Sequence, residues 1–232
     1  MAQALFDAVR TGNLDEVRRL VAATPALSAA RDANGVSAVL FAAYHGRRDI
    51  AVALVAMGAP VDIFEASALG LVHRIGALIA EDHTQVSAYA QDGFYPLGLA
   101  CFFGHLDAVR TLIASGADVH ATARNPFKVQ PVHAATASRN LDVLRAVLEA
   151  DANPNVPQQQ GFVPPHDGRQ GQPRDGGAIG QAWRRSSAAE RGWKEQHRPG
   201  PRPRPSRAGG MATGMIGMIG ARPPNSPFPE DG

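Results

Sequence analysis

Six histidines, His45, His73, His83, His105, His120 and His133, are the side chains best suited to metal binding or proton transfer in the first two thirds of this 232-residue chain. A metal centre needs its ligands at fixed intervals, as in HExxH or paired CxxC, and no such spacing occurs. Nor is there a GxxxxGK string, or a GxGxxG after a strand, to cradle phosphate. Cys101 is the one cysteine, so no internal disulfide forms, and its apolar surroundings mark it as packing. Asp62 with Glu65, and Glu81 with Asp82, are the carboxylate pairs within reach of acid–base work. Both fall at helix ends or in loops, where carboxylates cap or are solvated. The expectation is a non-enzymatic chain with no catalytic residue, no cofactor and no metal.

The elements that carry these residues repeat. GHLDAVRTLIASGAD (Gly104 to Asp118) is echoed by GNLDEVRRLVAATPA (Gly12 to Ala26), GRRDIAVALVAMGAP (Gly46 to Pro60) and RNLDVLRAVLEADAN (Arg139 to Asn153). Apolar residues recur at helical spacing, as in Leu106, Val109, Leu112 and Ile113, so one face of each helix is buried. Gly116 suits the left-handed cap that ends such a helix. A shorter helix precedes each copy. In DGFYPLGLACFFGH, Asp92 and Gly93 form a tight turn and Pro96 sits where a helix starts most easily.

The preceding helices read SAVLFAAYHG (Ser37 to Gly46), YPLGLACFFG (Tyr95 to Gly104) and QPVHAATASR (Gln130 to Arg139). These resemble the TPLHxA string of ankyrin repeats, whose period is about 33 residues. The resemblance implies an all-α solenoid of about five helix-turn-helix units with short β-turn fingers over residues 1–157. The units span about 2–30, 31–62, 63–90, 91–122 and 123–157, the first and third without a finger. His133 keeps the family histidine, while Leu40 and Gly98 replace it, so the hydroxyl and imidazole bonds that brace the turn should be missing there.

The family usually binds protein partners on the concave face, at the pair of residues before each inter-helix glycine. By register these include Tyr44, His45, Leu69, Phe102, Phe103 and Ser138, and the fifth finger adds Arg124 and Lys128. The three aromatics and Leu69 read either as packing between units across the missing third finger or as anchors for a partner's side chains. The resemblance implies a protein-binding scaffold acting as a monomer, its partner unidentified.

Charge divides the chain. Residues 1–157 hold 12 Lys and Arg against 15 Asp and Glu, residues 158–232 hold 11 against 6. No apolar run of about 18 residues is present and Met1 to Phe6 lacks signal-peptide character, so a cytoplasmic protein without membrane contact is expected. Beyond 157, GFVPPH opens a sixth unit over residues 158–166. The remainder, 167–232, is rich in Arg, Pro and Gly, the composition of disorder. A basic arm for nucleic acid or another anionic partner through residues 167–207 is one reading, and PRPRP (Pro201 to Pro205) as a polyproline ligand is another. A third accounts for more: a frameshifted, truncated product. In the next frame Trp183 and Trp193 both force glycine, ten positions apart, the interval from a helix-ending glycine to the next finger glycine. Gln170, Gly171 and Gln172 become Lys or Arg, then Gly, Ala, Val or Asp, then Asn or Ser, and Met215 before Ile216 forces a stop. The fifth unit would then present Val143, Leu144, Val147 and Leu148 to a missing neighbour.

Overall fold

The computed structural model describes residues 1–156, in ten α-helices with no strand among them. The helices come in pairs: α1 (Ala2–Thr11) and α2 (Leu14–Ala23), α3 (Ala38–Tyr44) and α4 (Arg48–Ala56), α5 (Ile63–Leu69) and α6 (Val72–Glu81), α7 (Pro96–Phe102) and α8 (Leu106–Ala114), α9 (Pro131–Ser138) and α10 (Leu141–Glu149). Each is too short to persist alone in water, so packing must hold it. Local chemistry sets the ends. Asn13, Ser37, Asp62 and Asn140 cap α2, α3, α5 and α10 by accepting backbone N–H bonds. Between paired helices the backbone turns left-handed, at Gly12, Gly46, Gly70 and Gly104 with φ of 67° to 75°; the fifth pair uses Arg139 at φ 56°.

The first helices of the pairs stack in one layer, α1–α3–α5–α7–α9, and the second helices form another, with α2 on α4 and α6–α8–α10 in succession. Three loops project beyond the layers and are closed by backbone bonds: Asp32 N to Val36 O at 2.9 Å, Ala90 N to Phe94 O at 2.8 Å, and Ala123 N to Val129 O at 2.9 Å. No such finger separates α4 from α5. The buried apolar residues fall into two large clusters, one spanning α1 to α4 with Leu69, the other spanning α5 to α10. A small third cluster, Val36, Leu40, Ala43, Ala68 and Leu99, joins them along the layer of first helices.

Two expectations need correction. The turn braces are missing only in part where the family histidine is replaced: Tyr95 makes no side-chain capping bond, but other bonds remain. Ser37 Oγ still accepts the Leu40 N–H at 3.1 Å. In the fourth unit the ring of Tyr95 lies against Gly98, where a side-chain carbon would come within 2.9 Å of Tyr95 Cζ. The Tyr95 hydroxyl donates to Ala121 O at 2.9 Å. In the fifth unit His133 Nε2 donates to Val156 O at 2.7 Å, and Val156 follows His133 at the same separation as Ala121 follows Gly98. Tyrosine plus glycine thus reaches the carbonyl that histidine reaches. The second correction concerns Val143, Leu144, Val147 and Leu148, all buried in the cluster they share with α8 and α9. Their stripe points into the unit's own helix sandwich, so it is not a bare end face.

Candidate partner-binding face

The first helices of the pairs present their last turns along one side of the stack. Tyr44, ending α3, reaches past the fingerless third unit. Its hydroxyl donates to Asp92 Oδ2 at 2.8 Å, and its ring stacks on Phe103 at 6.0 Å and tilts against Phe94 at 6.2 Å. Burial first, and the Asp92 carboxylate second, push the phenol well above its ordinary range, so it stays a donor. Asp92 is oriented in turn by accepting the Phe94 N–H at 3.2 Å. Phe102 meets Phe103 edge-on at 5.1 Å. Tyr44, Phe102 and Phe103 are each half-buried, keeping part of their surface open.

His45 stacks on Phe41 at 4.2 Å and its Nδ1 donates to Phe41 O at 2.9 Å. Ser138 turns its hydroxyl back onto Ala135 O at 2.7 Å. Leu69 is a different case. At 4% exposed it belongs to the core of the first two units and offers no surface, because α5 ends against α3 and α4 without a finger to hold them apart. At the fifth finger Arg124 is exposed with its guanidinium 3.8 Å from the centre of the Tyr89 ring. Lys128 is exposed at φ 50°. The structure therefore brings Tyr44 and Phe103 together, sets Phe102 beside them, and leaves His45, Ser138, Arg124 and Lys128 at separate points along the stack.

Three residues central to this geometry carried weak signals in the sequence. Asp92 reads as a turn former, yet it anchors Tyr44 from two units away. Tyr95 is marked by glycine three positions on, where the repeat expects a larger residue. Glu65 is 1% exposed. Its Oε2 accepts the Asp62 N–H at 3.0 Å, completing a capping box, while Oε1 has no hydrogen-bond partner among the described residues. Burial first and Asp62 second push the carboxyl up to about 7. His105, whose Nε2 donates to Ala68 O at 3.0 Å, and His133 are both held below the usual histidine range by burial. Burial drives the Cys101 thiol up, away from thiolate chemistry. No cluster of three or more metal-ligating side chains occurs among the described residues.

Comparison with known proteins agrees with this architecture. The family described as ankyrin repeats in three copies matches residues 63–158. Residues 63–158 of this chain carry ankyrin repeats. Over 44 residues it is 52% identical to ankyrin repeat domain-containing protein 49 of Bos taurus, and 50% identical to the protein of that name from Homo sapiens. The matched stretch covers 19% of this chain and 18% of either relative. Ankyrin repeats are generally protein-interaction modules and, as a family, non-enzymatic scaffolds. No helix among the described residues is long and apolar enough to cross a membrane. The tail readings, both the basic arm of residues 167–207 and the sixth-unit opening at 158–166, lie outside the described residues.

Proposed function

We propose that this ankyrin stack is a non-catalytic, cytoplasmic scaffold that binds a protein partner on its inner face, beside Tyr44, His45, Phe102 and Phe103. Arg124 and Lys128 of the last finger, with Ser138 at the end of α9, frame the same side. The observation that supports this reading is the aromatic group itself. The Tyr44–Asp92 bond and the Tyr44–Phe103 stack fix the rings, so little rotamer freedom is left to lose on binding, while their outer surfaces remain partly open. Rigid aromatic anchors surrounded by polar residues are the usual centre of a protein interface.

A photo-crosslinking side chain tests it. Placed at Phe102 or His45 in the full chain, it should give a discrete adduct in cells. Placed at Ala80, exposed on the outer layer, it should not. Adducts from Ala80 alone would move the partner to the other side of the stack and overturn the proposal.

A further inference from the structure

The described chain stops just as another finger begins. Asp151 is left-handed at φ 70°, in the register of Gly58 and Gly116 after α4 and α8. Ala152 and Pro154 are buried, and His133 holds the Val156 carbonyl. Gly161 then stands five positions before His166, as Gly35 stands five before Leu40 and Gly93 five before Gly98. His166 follows His133 at one full repeat period.

After His166 the written sequence loses this pattern, and the next frame resumes it. Left-handed backbone favours glycine, so the structure states which positions of a following unit would require one. Each of them recurs one position short of the full period. Arg139 is the left-handed turn of the fifth pair, and its counterpart, position 171, admits glycine in the next frame. Asp151 is the left-handed end of α10, and at its counterpart the codon of Trp183 forces glycine. Gly161 stands in the sequence register of the finger glycines Gly35 and Gly93, and at its counterpart the codon of Trp193 forces glycine again. Between these, the next frame admits leucine at 173 and valine at 176, restricts 179 to leucine, serine or a stop, admits valine or alanine at 180, and admits alanine and aspartate at 184 and 185. That is the grammar of α8 and its GAD ending, Gly104 to Asp118.

The interval also measures the lesion. A spacing one codon short of the period, plus the one base that separates the frames, is two bases short of a full repeat. An inserted base would lengthen the interval instead. In the fingered units the N3 residue, Leu40, Gly98 or His133, lies six positions before its inter-helix turn; from His166 to position 171 it is five, and two restored bases return it to six.

We infer that the end of the stack formed by α9 and α10 is the docking surface for a sixth helix pair, encoded in the next frame and put out of step by the loss of two bases between the codons of His166 and Gln170. One contact can be named. Asn140 caps α10 and donates from Nδ2 to the Gly104 carbonyl of the previous unit at 3.0 Å. The next frame allows only asparagine or serine at the matching position 172. An asparagine there caps its own helix and reaches the Arg139 carbonyl. The frame closes with a stop at Met215, and its last encoded position, 214, lies as far beyond the second forced glycine as Ala56, the end of α4, lies beyond Gly35. This inference is independent of where a partner binds.

Reading the gene's nucleotides from the codon of Val156 to that of Met215 tests it. The expected result is asparagine or serine at 172, apolar residues at 173, 176, 179 and 180, and Gly-Ala-Asp at 183 to 185. An ATA codon for Ile179 would place a stop in the frame and overturn it, as would serine at 179 or charged residues at the apolar positions. Hydrogen exchange on the full chain as written and on the chain with two bases restored tests the docking itself. Amides of Leu141 to Leu148 should exchange about tenfold more slowly in the restored chain. Equal exchange would show that the end of α10 receives nothing.

Discussion

Neighbouring fingers and separated fingers are joined by different means. Between the fourth and fifth units the fingers touch, and every bond of the joint ends on a backbone carbonyl: Arg124 N donates to Gly93 O at 2.8 Å, Asn125 Nδ2 to Asp92 O at 3.0 Å, and the Tyr95 hydroxyl to Ala121 O. Gly93 is required there, since a side-chain carbon would lie 2.6 Å from Arg124 O. Between the second and fourth units one finger is absent, and side chains span the gap: Tyr44 to Asp92 and Phe103, and Gln91 over Gly35. A backbone carbonyl acceptor is supplied by whatever residue stands at its position. A side-chain bridge depends on particular residues, so the second joint is the easier one to break.

The largest effects belong to the two cores on either side of that bridge. Leu112 and Leu54 are both fully buried, one in each cluster. Leu112→Ala and Leu54→Ala should each cost about 2 to 5 kcal/mol, read as a lowered circular-dichroism midpoint. Hydrogen exchange should separate them. Leu112→Ala loosens α5 to α10 and Leu54→Ala loosens α1 to α4, because a repeat contacts only its neighbours. Uniform loosening in both variants would mean that the bridge couples the halves as tightly as a continuous core.

Glu65 lies at the boundary itself. Its folded carboxyl titrates near 7, above the ordinary value of 4.5, so the folded state holds the proton more tightly than the unfolded chain. Its contribution to stability is complete below about pH 4.5 and is lost as pH rises through 7, by up to about 3 kcal/mol. His105 and His133 act in the opposite sense. Their lowered values make the neutral form the folded one, so their contribution is present above 6.5 and falls away on acidification. In Glu65→Gln only the histidine trend remains. Its melting midpoint should rise between pH 5.5 and 7.5, where the parent's rises less or falls. Parallel profiles for the two proteins would show that Glu65 does not titrate in this window.

The two kinds of joint also explain what the sequence made legible. Helix pairs, their glycine turns and the absent third finger follow from local periodicity and spacing. The Tyr44–Asp92 bond, the buried Glu65 and the Tyr95–Gly98 exchange depend on residues from different units meeting in space, and a single repeat carries no trace of them. For the aromatics at the inner face, both packing and partial exposure are present in the structure, since the rings cover one another on one side only.

Removing one hydroxyl compares the joints directly. Tyr95→Phe leaves the Ala121 and Val129 carbonyls in a buried joint and should cost about 1 to 3 kcal/mol. Tyr44→Phe leaves a half-buried carboxylate that water can reach, so the cost should be nearer to about 1 kcal/mol. If Tyr44→Phe costs more than Tyr95→Phe, the side-chain bridge is the stronger joint.

The smallest effect is a gain. Four inter-helix turns place glycine at the left-handed position and the fifth places Arg139 there, at φ 56°. For a residue with a Cβ that conformation costs roughly 1 kcal/mol, which the surrounding contacts must offset. Nothing about the arginine side chain repays it: Arg139 is exposed and forms no ion pair among the described residues. Arg139→Gly should therefore raise the melting midpoint by a few degrees, less the entropy that glycine adds to the unfolded chain. Gly104→Arg, the same exchange in the opposite direction one unit earlier, should lower it by more, because that turn also receives the Asn140 side chain on its carbonyl. A fall in the midpoint of Arg139→Gly would show that the fifth turn uses its arginine, and that the last pair is held differently from the four before it.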